Sequence, residues 1–338
     1  MIPGPAPNVR ARLAELTGDR RQLAAVRRMT LDDGPARGQR VLAFSTGGGL
    51  DFWVLADRTM DIGPLWFHGM PVAWQHPAGT LAPQFHDSRR DGGTGVERAL
   101  TGFLLTGGLD NVRQPRDGMP LHGTLPLTPA RVTCHGEDWN APSPLLFAEG
   151  EAVTAHLSGP SFSLTRRIEA PIGGTSLRLT DCVENIGPEP AAFRILYHTN
   201  FGFPAVGAGT KLTLDGEDVL LHEPPCEGRH AGLAPARSFP ARHDRFRATL
   251  ERPAAGQWSG LTISVEGDST ALPFVQFWSD PRPRRNIVAI EPVNCDRNPD
   301  GTSAPGMTLE PGESWTSTLS YGFASPDAGR KGATHGNG

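Results

Sequence analysis

Residues 191–204 read AAFRILYHTNFGFP, and the fold is read outward from them. Strict alternation puts Phe193, Ile195, Tyr197 and Phe201 on one face of a strand. Arg194, His198 and Asn200 fall on the other, with Leu196 among them. The first face suits a core. The second suits a polar cleft, where a histidine can give or take a proton near neutral pH. A second strand-like stretch, NIVAIEPVN at 286–294, carries Glu291 inside an apolar run. Burying an unpaired carboxylate is costly. Glu291 therefore needs either an arginine, as a buried ion pair, or a place in a reaction. A carboxylate and an imidazole, each on its own strand, are what a proton-transfer enzyme requires.

The rest of the chain supports a β protein. It has 338 residues, 41 of them Gly and 32 Pro, which suits many turns and one large domain. Strand-like segments broken by Gly, Pro, Asp and Asn recur from 22–30 to 315–323. Their spacing predicts a large twisted antiparallel β-sandwich with few short helices. The expected division is an N-terminal segment 1–20 with a short helix over 9–16, a sandwich domain 21–324, and a disordered tail 325–338. Polar stretches at 79–98, 222–245 and 295–306 read as long loops, which on a β scaffold often form the binding site.

Several function classes lose support. The net charge is −4 with both signs well mixed, so nucleic acid is not an expected partner. No apolar run reaches about 18 residues, so no membrane partner is expected either. The start, MIPGPAPNVRARLAEL, lacks the apolar core of a secretory signal, which predicts a cytoplasmic protein. Cys134, Cys182, Cys226 and Cys295 lie far apart without a CxxC pair, so neither a zinc knuckle nor a disulfide framework is indicated. The 11 histidines form no HxH or HExxH, and His68, His76 and His86 are widely spaced; no metal is expected. Exposed strand edges would allow a homodimer.

Local patterns then occur in a definite order: LADRTMDIG at 55–63, LLTGGLDNV at 104–112 with LHG at 121–123, YHTNFG at 197–202, FVQFW at 274–278, AIEPVN at 289–294, and LEPGES at 309–314. In this order the chain resembles the galactose mutarotase-like (aldose 1-epimerase) superfamily. It is most similar to the branch designated domain of unknown function 4432, over about residues 20–323. The resemblance implies the supersandwich fold, a small-molecule carbohydrate partner and no cofactor. It also implies His198 as general acid, Glu291 as general base and His122 as a second histidine touching the sugar. Asn200, Asp110, Asn111, Arg58 and Gln276 are the further candidate substrate contacts. Gln276 points to the side of Phe274 and Trp278, a plausible stacking platform. Hexose mutarotases commonly place a sugar-contacting arginine upstream of the LHG-like segment. Here Thr106 stands beside the matching glycine pair, and Arg58 is the guanidinium that could serve instead.

The implied reaction is isomerisation of a sugar at its anomeric carbon. A base takes the proton of the anomeric hydroxyl while an acid protonates the ring oxygen. The open aldehyde rotates and closes on its other face. The same pair could instead act on a C–H proton, in a lyase or another isomerase, or merely hold a sugar in a binding protein. In every case His198 and Glu291 should face one cavity, and for mutarotation the expectation is a separation of about one sugar ring.

Overall fold

Three antiparallel sheets build the molecule; the computed structural model describes residues 13, 15–219 and 235–326. The largest has nine strands: Glu217–Asp218, Lys211–Leu214, Arg245–Arg252, Leu261–Asp268, Ser314–Ala324, Ser176–Asn185, Ser161–Pro171, Leu145–Ala155 and Arg131–Asp138, in spatial order. A six-stranded sheet runs Arg237–Pro240, Phe274–Asp280, Ile287–Val293, Ala191–Phe201 and Met307–Leu309, with Leu104–Leu109 also paired to Ala191–Phe201. A five-stranded meander holds Ala25–Thr30, Arg40–Ser45, Leu50–Leu55, Asp61–Phe67 and Met70–Pro71. No helix among the described residues reaches seven residues.

Alternation builds these layers. Along Ser314–Ala324 the residues Trp315, Ser317, Leu319, Tyr321 and Phe323 turn inward while their neighbours face out. Leu177, Leu179, Asp181, Val183 and Asn185 do the same one strand over. These faces meet Phe193, Ile195, Tyr197 and Phe201 of the six-stranded sheet and Phe44, Phe52 and Ile62 of the meander in one apolar core. The β-sandwich read from the sequence is the observed architecture.

That core also holds a polar network. Arg166 donates from Nε and Nη2 to Asp181, at 2.8 and 2.7 Å, and from Nη1 to Asp61 at 2.7 Å. Thr106 donates its N–H and its hydroxyl to Asp61, at 2.8 and 2.6 Å, and accepts from Arg166 Nη2 at 2.8 Å. The Tyr197 hydroxyl donates to Asp181 at 2.8 Å. Every charge is answered, so burial is tolerated, and the bonds tie strands of all three sheets together. Burial leaves the Asp61 carboxyl above the usual carboxylate range, although the guanidiniums of Arg166 and Arg58 oppose the rise.

Asp61–Phe67, which takes in the end of the LADRTMDIG stretch, is a strand of the meander. The stretch 237–240 is a strand, inside a segment read as loop. Of the helix expected over 9–16 only residues 13, 15 and 16 are described, and these are helical; of the tail expected over 325–338 only 325 and 326 are described, and 222–234 lie outside the described residues.

Candidate active site

His198 sits on Ala191–Phe201 and Glu291 on Ile287–Val293, which are adjacent antiparallel strands. Leu196 pairs with Val293 and Thr199 with Ile290, so the register sets His198 opposite Glu291. On the far side Glu291 pairs with Gln276, and His198 pairs with Leu105. A single row across four strands therefore presents Gln276, Glu291, His198 and Leu105 on one face. His198 Nε2 lies 3.4 Å from Glu291 Oε1, and both side chains are about 5% exposed.

The pair opens into a cavity of about 550 Å³, a size ordinary for small-ligand sites. Trp278 walls it, its ring centroid 5.9 Å from that of His198, and Trp74 and His76 stand as a second aromatic edge. Trp74 is fixed by donating Nε1–H to the Arg285 carbonyl at 2.7 Å. Leu105, Leu121 and Val96 pack together, and Leu121 and Val96 also line the cavity.

His122 completes the centre. Its ring stands edge-on to His198, centroids 5.4 Å apart. Its Nδ1 accepts the Arg113 N–H at 3.3 Å, which assigns the ring proton to Nε2. Burial, with His198, Arg113 and Arg297 nearby, holds its pKa well below the usual histidine value. His122 is therefore neutral and offers an Nε2–H donor. Its perch depends on glycine. Gly123 has φ +77°, and a Cβ there would meet Asp110 Oδ1 at 2.3 Å and the Gly108 carbonyl at 2.4 Å.

Arg113 is the site residue that the motif comparison passed over. It is buried, donates Nε–H to Gln276 Oε1 at 3.1 Å, and gives Nη1–H and Nη2–H to the carbonyls of Asp296 and Cys295 at 2.8 and 3.1 Å. Burial lowers its pKa, and Glu291 is among the charges that support its cationic form. An arginine upstream of LHG is thus present, seven positions beyond Thr106 where it was sought. The signal was a charge directly after the apolar Val112, within a segment that reads as a turn.

Five expected contacts lie elsewhere. Arg58 is fully buried, donates to the Thr101 carbonyl at 2.8 Å, and lies near Asp61 rather than the cavity. Asp110 and Asn111 shape the loop that carries His122. Asp110 accepts from Asn111 N–H, Thr124 N–H and the Thr124 hydroxyl, and Asn111 Nδ2 donates to the carbonyls of Gln114 and Pro120. Asn200 is on the correct face but buried, its amide donating to the His198 carbonyl at 3.2 Å, with the neighbouring Val72–Trp74 segment bonded along its end of the strand. Gln276 lies behind the wall, where it holds Arg113. His122 is the one expected substrate contact that lines the cavity, while Asp280, Arg282, Arg285 and Arg297 line it unforeseen. Among the described residues no cluster of three or more His, Cys, Asp or Glu could hold a metal ion.

The sequence matches a family model, "Domain of unknown function (DUF4432)", over residues 36–323. The chain belongs to the DUF4432 family. No curated protein matches it. Solved structures similar to this DUF4432 chain include a Klebsiella pneumoniae protein proposed to be an aldose 1-epimerase. That match has TM-score 0.69 and 18% identity, and covers 90% of this chain and 86% of the other. A Salmonella typhimurium protein proposed to be a mutarotase (YeaD) matches with TM-score 0.58 at 13% identity, over 89% and 94% of the two chains. Galactose 1-epimerase from Lactobacillus acidophilus matches with TM-score 0.55 at 12% identity, over 89% and 98%. At these identities the likeness is one of fold, and the fold is the galactose mutarotase-like sandwich. No helix among the described residues of this DUF4432 chain is long and apolar enough to cross a membrane.

Proposed function

We propose that this DUF4432 protein interconverts the anomers of a sugar, with Glu291 as general base and His198 as general acid. The observation that carries the reading is the cross-strand pair itself, Nε2 to Oε1 at 3.4 Å, at the wall of a sugar-sized cavity. The two atoms acted on, the anomeric hydroxyl oxygen and the ring oxygen, are bonded to the same carbon. They lie closer together than a ring diameter, so a pair this close can serve both. The expected separation of a full sugar ring was too wide for that reason.

Glu291 accepts the proton of the anomeric hydroxyl, and His198 delivers one to the ring oxygen from Nε2. The C1–O bond of the ring breaks as the carbonyl forms. After rotation about C1–C2 the roles reverse and the ring closes on the other face. Neutral His122 donates Nε2–H to a sugar hydroxyl, and Trp278 offers an apolar wall to the ring C–H groups. Each proton-transfer group is worth about 10²–10⁴-fold in rate. NMR exchange between the anomers of a panel of aldoses, with and without protein, tests the reading. Binding without exchange would favour a sugar-binding protein instead, and release of an unsaturated product would favour a lyase.

A further inference from the structure

The cavity carries charge that mutarotation of a neutral sugar does not use. Arg113, Arg282, Arg285 and Arg297 line it. Arg282 is answered by Asp280, Nη2 to Oδ2 at 2.6 Å. Arg113 spends four of its five N–H donors, on an amide oxygen, two carbonyls and, at 3.8 Å, the Cys295 sulfur, and bonds no carboxylate among the described residues. The side chains of Arg285 and Arg297 make no hydrogen bond or ion pair among the described residues.

Among the described residues the acids facing the same space form no ion pair with Arg113, Arg285 or Arg297. Glu291 meets His198 and supports Arg113 only through space, and Asp280 is bonded to Arg282 while feeling Arg285 more weakly. Asp300 keeps its charge but is exposed, accepting the Thr302 N–H and hydroxyl at 2.9 and 2.6 Å. Glu97 is exposed at the rim. Arg297 and Arg113 are close enough that Arg297 helps to lower Arg113, and both bear on His122. Two guanidiniums brought together without a carboxylate repel each other. An anion between them would relieve that repulsion and gain charge-assisted hydrogen bonds.

We propose that the cavity takes a sugar carrying an anionic group, a phosphate ester or a carboxylate, held by Arg297 and Arg113 beside His122. Arg285 adds attraction from the side of Trp74 and His76. The inference rests on the mutarotase reading of the same cavity, and it names the substrate class.

Its test compares glucose and galactose with their phosphate esters and uronates, at one ionic strength, by NMR anomer exchange. Quenching of tryptophan fluorescence, from Trp74 and Trp278 in the wall, reads binding independently of turnover. The expected result is a kcat/KM about tenfold or more higher for the anionic sugars. That preference should shrink as salt rises and largely vanish in R297Q. Whether phosphate or carboxylate is favoured identifies the source of the anion. Equal handling of neutral and anionic sugars, or an R297Q variant that weakens both alike, overturns the inference. If no sugar exchanges, the mutarotase reading fails and the quenching titration decides alone. Tighter anionic binding that R297Q abolishes then upholds the subsite, and equal binding removes it.

Discussion

His198 and Glu291 are directly opposite each other on neighbouring antiparallel strands, and their side chains meet at 3.4 Å. Opposite residues of such a pair have Cβ atoms about 4.5–5.5 Å apart. Sheet register alone therefore fixes their separation, without help from a loop. Rigid strands hold such geometry better than loops do, which suits a reaction that needs two proton transfers at one carbon. It also answers the question posed by a glutamate in an apolar strand. Its direct partner is an imidazole, while Arg113 is bonded to Gln276 and to two backbone carbonyls.

Gln276 acts through Arg113. Replacing it by Leu leaves the buried Nε–H of Arg113 without its acceptor, and the guanidinium is free to shift from the cavity wall. Leaving one buried donor unpaired costs about 1–3 kcal/mol. We expect Q276L to raise KM about tenfold with a smaller change in kcat. Steady-state rates across a sugar concentration series separate the two constants, and an unchanged KM would remove Gln276 from the positioning of Arg113.

Gly123 should tolerate no side chain. In G123A the new Cβ meets Asp110 Oδ1 and the Gly108 carbonyl, in a left-handed backbone position. The loop must move, and His122 moves with it. The expected outcome is a loss of more than about 1 kcal/mol in urea unfolding. A fall in kcat/KM at temperatures where the variant remains folded should accompany it. Full activity would show that His122 has no part in the site.

The buried network predicts a graded stability series. Y197F removes one hydroxyl bonded to Asp181 and within 2.8 Å of the Ser317 hydroxyl, and should cost about 1–3 kcal/mol. R166M strands both Asp61 and Asp181 and should cost about 3–5 kcal/mol or prevent folding. Denaturant midpoints in the reverse order would mean that the network is not what joins the sheets.

Acid should weaken the fold between the ordinary histidine pKa and pH 4. Burial pulls His86 down from 6.5 to about 4, and His122 is shifted the same way. In that interval the unfolded chain binds protons that the folded chain refuses, so stability rises with pH. The contribution is complete above 6.5 and is lost as pH falls through about 4. Each such histidine adds a slope of up to about 1.4 kcal/mol per pH unit. Melting temperatures of H86Q against pH should fall less steeply on acidification than those of the parent chain, whereas parallel curves would exclude His86 as a source.

The sandwich was legible because burial on a strand repeats every second residue, and 191–204 shows that repeat plainly. His198 and Glu291 were legible as two strand residues able to exchange protons, but not as neighbours, because pairing between distant strands is not written in either one. The same gap explains the misplaced contacts. Asn200 shares the face of His198, yet the Val72–Trp74 segment lies along that end of the strand. Asp110 and Asn111 sit near the right loop, yet their side chains are consumed in holding it. Arg58 and Asp61, one motif in sequence, belong to the core. Arg113, Arg285 and Arg297 reach the cavity from irregular segments, where no periodicity indicates which way a side chain points.

The proposed role of Glu291 and His198, moving protons at an anomeric carbon, is read out by anomer exchange, measured by NMR on the parent chain, E291Q and H198N. Catalysed exchange is expected in the parent, reduced about 10²–10⁴-fold in each variant while the fold and its melting temperature are kept. Exchange undiminished in E291Q would rule the role out.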